Sequence, residues 1–233
     1  DRVIHTALKN NVIFAVTSVI CQIGVSLVIA ALLESKFMRR WQSVFYTIYF
    51  IPSLLMITVT GITFKMLYSP TIGLLNPVLA KLGIDVSNIA ILADAETAIW
   101  GVAAMSQWQF IGYTVVLFIV SMQSISDDIY EAAAIDGATG IQRFFLITAP
   151  LMKNTIMINM IIVITGAFRV YDEVYVMTGG GPGTSTQTLA TYLYQIGFKN
   201  DQMGYASAIA FFVFIITFIL GLFQMKGYDL SDD

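Results

Sequence analysis

Apolar residues along this chain gather into five long runs, 12–33, 44–67, 98–125, 155–170 and 205–225, and shorter stretches between them hold most of the charge. A helix needs about 20 mostly apolar residues to cross a bilayer, and each run reaches or approaches that length. Alternating strands of about ten residues are absent, and backbone groups in hydrocarbon must be satisfied within each segment, so the pattern predicts helices and not a barrel. The expected fold is all-α, a polytopic membrane protein with five transmembrane helices in a single domain over 1–233. Pro52 lies inside the second run and removes one backbone hydrogen bond, which predicts a kink there.

Composition agrees with the pattern. With 57% hydrophobic and 12% charged residues and a mean hydropathy of +0.77, the chain has too little polar surface to coat a water-soluble globule of 233 residues. A net charge of -3 with no basic stripe excludes a nucleic-acid partner. The single cysteine, Cys21, has no disulfide partner and reads as a small buried residue, and His5 stands without ligand-type neighbours, so no metal is expected. The chain starts at Asp1 without Met and without a signal-type leader, which suggests a trimmed chain. The interiors 12–33, 44–64, 98–125, 155–168 and 206–225 contain no Asp, Glu, Lys, Arg or His. An ion-coupled secondary transporter would hold carboxylates or a broken helix near the midplane, and a membrane enzyme would need a nucleophile or metal cluster there. Both fit less well than a protein driven from outside.

With five spans, the 34–41 loop, the polar insert and the tail after Lys226 share one side. Lys36, Arg39 and Arg40 form the densest basic cluster, which makes that side cytoplasmic, although Arg2, Lys9, Lys81 and Lys199 lie on the other and the insert itself is acidic. The insert, 127–150, has the parts of two short helices. Asp128 is expected to cap the first, with Glu131 at its third position; Ala132, Ala133 and Ala134 propagate it and Gly137 ends it in a left-handed conformation. Thr139 is expected to cap a second helix running through Phe144 and Phe145 and stopped by Pro150. A thin knob of this kind lets another protein approach its backbone closely. The plain alternative is a loop that only joins two spans.

The spacing Glu131-Ala132-Ala133, then Gly137, Ile147 and Pro150, resembles the coupling loop of ATP-binding-cassette importer permeases. Together with Asp136, Ala138 and Phe145, and with Tyr175-Val176-Met177-Thr178-Gly179-Gly180-Gly181-Pro182 some forty residues on, it is similar to the carbohydrate-uptake branch, which includes maltose-type and glycerol-phosphate-type systems. Two positions depart from the family: Ala149 stands where Leu is usual, and no second proline follows among Leu151-Met152-Lys153-Asn154, which loosens the expected packing of the second loop helix. Members of the branch commonly have one further N-terminal span. The resemblance implies a permease subunit of a binding-protein-dependent sugar importer, paired with a second related permease, served by an extracytoplasmic solute-binding protein and docked on a pair of ATPase subunits. It implies that Glu131, Ala132, Ala133, Asp136, Gly137 and Ala138 contact the ATPase, with Glu131 facing a basic groove. ATP and magnesium then belong to the partner, so no cofactor is bound by this chain and it is not itself an enzyme. The place implied is the inner (cytoplasmic) membrane, multi-pass, with the insert in the cytoplasm; a non-sugar solute is the alternative substrate.

In that family substrate crosses between two permeases, so one helix face should carry polar and aromatic groups. Ser106, Gln109, Phe110 and Tyr113 fall at i, i+3, i+4 and i+7 and share a face of the third span, with Gly166 and Ala167 as a small wall opposite. Rings suit the apolar faces of sugars, and amide and hydroxyl groups suit their hydroxyls. The other reading is that Ser106 and Gln109 hydrogen-bond neighbouring helices. Arg169 with Asp172 and Glu173, at i, i+3 and i+4, reads either as a local ion-paired interfacial cluster or as a gate or a site for an anionic sugar phosphate. The run Gly179-Gly180-Gly181-Pro182-Gly183 lacks the Lys of a nucleotide-binding loop. It is expected to be a tight multi-turn loop whose glycines permit positive φ; the functional alternative is that, with Thr184 to Thr188, it shapes the outer mouth where a solute-binding protein docks.

Overall fold

The computed structural model describes residues 1–35, 38, 40–83 and 90–229, with side chains through Lys226. Lys36 and Arg39 of the basic loop lie outside the described residues. All regular structure among the described residues is helical, as the hydrophobic pattern requires. Three helices are long and apolar enough to cross a membrane, or five if each of two sharply bent helix pairs is one crossing.

Helix α1 runs over Arg2–Glu34, about 50 Å at 1.5 Å per residue, and so begins ten residues before the first apolar run. Asp1 caps it by accepting from the Val3 amide at 2.8 Å, and a π-helical stretch over Val19–Val25 widens its middle. One face of its polar first turns packs on protein, with Ala7, Asn10 and Asn11 buried, while Arg2, His5 and Lys9 on the other face are exposed.

The second run is broken more deeply than a proline kink. Helices α2 (Gln42–Leu54) and α3 (Ile57–Leu67) meet at 97°, and the break sits at Leu55 and Met56, both extended, beyond Pro52. Pro52 is accommodated inside α2. What holds the corner is a neighbour: Gln109 donates its Nε2–H to the Leu55 carbonyl at 2.8 Å, supplying a partner that an interrupted helix lacks. A short α4 (Leu75–Lys81) follows.

Helix α5 (Ala98–Gln123) is the post around which the rest is arranged, with 61% of its most apolar stretch buried against 33% for α1 and 11% for the last helix. Two apolar clusters share it: Val102 and Met105 pack with Phe14, Val174 and Met177, and Val115, Phe118 and Ile119 pack with Ile23, Ala30 and Met152. Its closest neighbour is α2, admitted by Gly112: a Cβ there would lie 1.7 Å from the Tyr49 carbonyl oxygen.

The insert forms α6 (Asp127–Ile135) and α7 (Gly140–Leu151), and α7 meets α8 (Lys153–Ala167) at 70°. The fourth run, 155–170, thus corresponds to a 15-residue helix ending at Ala167. Short helices α9 (Asp172–Met177) and α10 (Leu189–Tyr194, continued by a π turn over Gln195–Lys199) precede α11 (Met203–Asp229).

Gly112→Val forces backbone apart at the α2–α5 contact, and overpacking of this kind costs about 1–3 kcal/mol. The expected result is a lower Tm of the detergent-purified protein, whereas Gly166→Ala, with open space at its Cβ position, leaves Tm unchanged.

Candidate functional site

Three groups of residues carry the chemistry read from the sequence, and the fold sorts them differently. The insert is the first. Ser126, not Asp128, caps α6, its hydroxyl accepting from the Asp128 amide at 3.3 Å; the cap lies two residues earlier because the extended backbone occurs at Ser126, leaving Asp127 and Asp128 in the first turn, where carboxylates favour the helix dipole. Gly137 takes φ +78°, and the Ala138 amide reaches back to the Ala133 carbonyl at 2.9 Å, closing the helix as expected. Thr139 and Gln142 form a reciprocal capping box on α7.

Pro150 does not stop α7. The helix widens into π turns over Phe144–Thr148, where the Ala149 amide bonds the Phe144 carbonyl, and continues past the proline to Leu151. The looser turn makes room for a ring that an α-turn would crowd. Tyr130 and Thr148 join their hydroxyls at 3.0 Å and tie the two insert helices together. A cavity of about 840 Å³, lined among others by Glu34, Gln123, Asp127, Tyr130 and Arg143, lies between the insert and the ends of α1 and α5.

Of the residues expected to meet an ATPase, Glu131, Ala132, Asp136 and Gly137 are exposed, Ala138 is half-buried, and Ala133 is turned into its own chain. The sequence reading missed the apolar part of this surface: Ile135 is 87% exposed and Ile141 74%, with Phe145 and Leu146 also open. These stand among Glu131, Asp136 and Arg143. Isoleucines in a polar insert were the available signal.

The α5 stripe divides. Ser106 and Gln109 are buried, Ser106 donating to Glu173 at 3.5 Å and Gln109 holding the Leu55 carbonyl, while Phe110 is half-buried and Tyr113 exposed. Gly166 is exposed, but Ala167 is buried and its carbonyl accepts from Asn11 Nδ2 at 2.7 Å. Arg169 is exposed and forms no ion pair with Asp172 or Glu173 among the described residues. The helical spacing fails because α8 ends at Ala167 and α9 begins at Asp172, with Tyr171 between them in a non-helical conformation. Glu173 turns inward to Ser106, and burial raises its carboxyl pKa.

The glycine-rich loop is built, not open. Gly179, Gly180 and Gly183 have positive φ, and at Gly180 a Cβ would sit 2.3 Å from Gln187 Nε2. Thr186, Gln187 and Thr188 are buried and cannot themselves contact a partner, while Gly183 and Thr184 are exposed. Two adjacent asparagines of α1 hold the loop: Asn10 Nδ2 donates to the Ser185 and Gln187 carbonyls at 2.7 and 2.8 Å, and Asn11 Oδ1 accepts from the Leu189 amide at 2.9 Å. Neither asparagine stood out in the sequence, since their partners are about 175 residues away.

Residues 22–225 match the family model described as "Binding-protein-dependent transport system inner membrane component". The chain is 47% identical over 228 residues to the probable ABC transporter permease protein YurN of Bacillus subtilis (strain 168), covering 98% of this chain and 78% of that protein. It is 32% identical over 224 residues to the arabinooligosaccharides transport system permease protein AraP of the same organism (95% and 71% covered) and 32% identical over 227 residues to the lactose transport system permease protein LacF of Rhizobium radiobacter (96% and 76%). Among solved structures it is similar in fold to a chain of a bacterial ABC transporter involved in the import of the acidic polysaccharide alginate, with a TM-score of 0.88, 21% identity, and 100% of this chain and 80% of that one covered.

Asn11→Leu removes partners from one buried amide and one buried carbonyl, each worth about 1–3 kcal/mol, and should lower Tm and open the loop 178–188 to proteolysis. A Glu whose folded-state pKa is raised contributes stability at low pH that is lost as pH rises through that pKa, so Glu173→Gln should raise Tm at about pH 8 and make less difference at about pH 5.

Proposed function

The chain belongs to the binding-protein-dependent transport system inner membrane component family, and on that premise we propose that it is the permease subunit of an ATP-driven sugar importer. The carrying observation is the insert: α6 and α7 present Ile135, Ile141, Phe145 and Leu146 together with Glu131, Ala132, Asp136 and Gly137. Large apolar side chains among charged ones on a compact, doubly capped knob fit a protein partner better than either water or lipid. α7 also turns 70° from α8 and so does not continue its direction.

In this reading the five crossings are 12–33, 44–67, 98–125, 155–170 and 205–225, the insert is cytoplasmic, and the knob rests in a groove of a separate ATPase that carries ATP and magnesium. The apolar residues give the contact its affinity; Glu131 and Asp136 set its orientation against basic groups. ATP-driven closure of an ATPase pair pulls on the knob. The Tyr130–Thr148 bond and the helix caps transmit that pull as one body to α5 and α8, and rigid-body rocking against a second permease exposes the path to alternate sides. An extracytoplasmic solute-binding protein delivers the solute at the opposite end.

Substrate meets Phe110 and Tyr113, which α5 leaves accessible, while Ser106 and Gln109 brace that face from behind. Sugar as the cargo is supported by the AraP and LacF relatives. A non-sugar solute is the second reading, and it leaves the coupling geometry unchanged.

Ile141→Glu alters only an exposed side chain, and Gly137→Trp adds bulk where φ is positive. Both should reduce solute-stimulated ATP hydrolysis in the reconstituted complex about tenfold or more and weaken co-purification of the ATPase, the equivalent of at least about 1.4 kcal/mol of lost contact. Normal assembly and turnover in both variants would exclude the insert as the coupling element.

A further inference from the structure

Away from the insert, past the end of α8, four aromatic rings and one lysine come together from two segments that are not themselves long enough to cross a membrane. Tyr171 and Tyr175 stack at 5.2 Å between centroids, 14° from parallel. Tyr194 meets both edge-on at 5.5 Å and stacks on Phe198 at 5.4 Å. Lys199 holds its ammonium 5.5 Å from the Tyr175 ring centroid and 5.9 Å from that of Tyr194.

The cluster is positioned by the fold. The Thr188–Thr191 capping box starts α10, and the Thr188 hydroxyl donates to the Val170 carbonyl at 2.7 Å, fixing the Tyr194 segment beside the Tyr171 segment. It is also open: Phe198 is 63% exposed and Tyr175 39%. Aromatic residues that merely anchor a protein at the lipid interface need no such mutual order. Three phenols, a free ring face and an ammonium supply what a sugar ring takes: an apolar plane for its C–H face, and donors and acceptors for its hydroxyls. Lys199 is already drawn over the Tyr175 and Tyr194 rings by cation–π attraction, so its charge is held on the platform beside the open face of Phe198.

The geometry points to a saccharide-binding platform formed by Tyr171, Tyr175, Tyr194, Phe198 and Lys199, separate from the α5 face, that receives one ring of an oligosaccharide. It deepens the reading of the chain as a sugar importer permease. Two patches, one here and one at Phe110 and Tyr113, would bind a chain of sugar units better than a single unit.

The test is saturation-transfer difference NMR on the assembled complex in lipid nanodiscs, without its solute-binding protein, using maltotriose, lactose and arabinotriose at millimolar concentration. The expected result is transfer to ring C–H protons of at least one sugar, reduced about fivefold in the Tyr175→Leu/Phe198→Leu double variant and reduced in Phe198→Leu alone, which changes a mostly exposed ring. Absence of transfer from the wild-type complex to all three sugars overturns the platform, as does undiminished transfer in Phe198→Leu and in a folded double variant. A double variant that loses only stability in lipid assigns the cluster to membrane anchoring instead. The importer reading is checked independently by Ile141→Glu: sugar-stimulated hydrolysis without transfer removes the platform alone, and transfer in a complex indifferent to Ile141→Glu removes the importer reading alone.

Discussion

A backbone group in hydrocarbon has to find its hydrogen-bond partner inside the protein, and the irregular parts of this chain depend on how that is done. At three of the interruptions, a buried side chain from a distant helix supplies a donor or acceptor. Gln109 on α5 serves the Leu55 carbonyl at the 97° corner between α2 and α3. Asn11 on α1 serves the Ala167 carbonyl at the end of α8 and the Leu189 amide at the start of α10. Asn10 serves the loop between them. These few amides let a chain of such apolar character carry sharp corners with the backbone groups named here partnered, although Gln109 Oε1 is itself buried without a partner.

The same economy separates a fixed end from a presented end. Beyond α8, Asn10 and Asn11 tie the glycine-rich loop to α1, and bonds of buried Thr186 to Gly181 and of Thr188 to Val170 leave it little freedom. At the insert the bonds are local: caps at Ser126 and Thr139, the turn at Gly137, and one bridge from Tyr130 to Thr148. Nothing in that set reaches far, so the insert is stiff within itself and keeps its outer face clear. The insert thus presents exposed isoleucines on a locally braced knob, while the far end is anchored by long-range bonds.

Much of the site was legible because its signals are short-range. The left-handed turn at Gly137 and the cap at Thr139 follow from residue type within a few positions, and both are present. The Ser126 cap was misplaced by two residues because Ser and Asp are near equal as caps and only backbone conformation chooses between them. The ion cluster at Arg169 was misread because helical spacing was applied across a break that no local residue marks. Ser106, Gln109 and Tyr113 lie at helical spacing, yet Ser106 and Gln109 bond neighbouring elements while Tyr113 is exposed, because spacing along one helix does not say what packs against it.

By itself the sequence determined the membrane character, the helical class and the two-helix form of the insert, since these rest on apolar run length and on propensities that act within a turn or two. It also carried the motif spacing that resembles the importer permeases, to whose family the chain belongs. Tertiary structure alone decided which polar residues serve as internal partners, where the second run turns its corner, that Ala133 faces inward while Ile135 and Ile141 face out, and that Tyr171, Tyr175, Tyr194 and Phe198 meet. Those outcomes depend on contacts between residues tens to nearly two hundred positions apart, and such contacts follow from packing around α5, which no local pattern encodes.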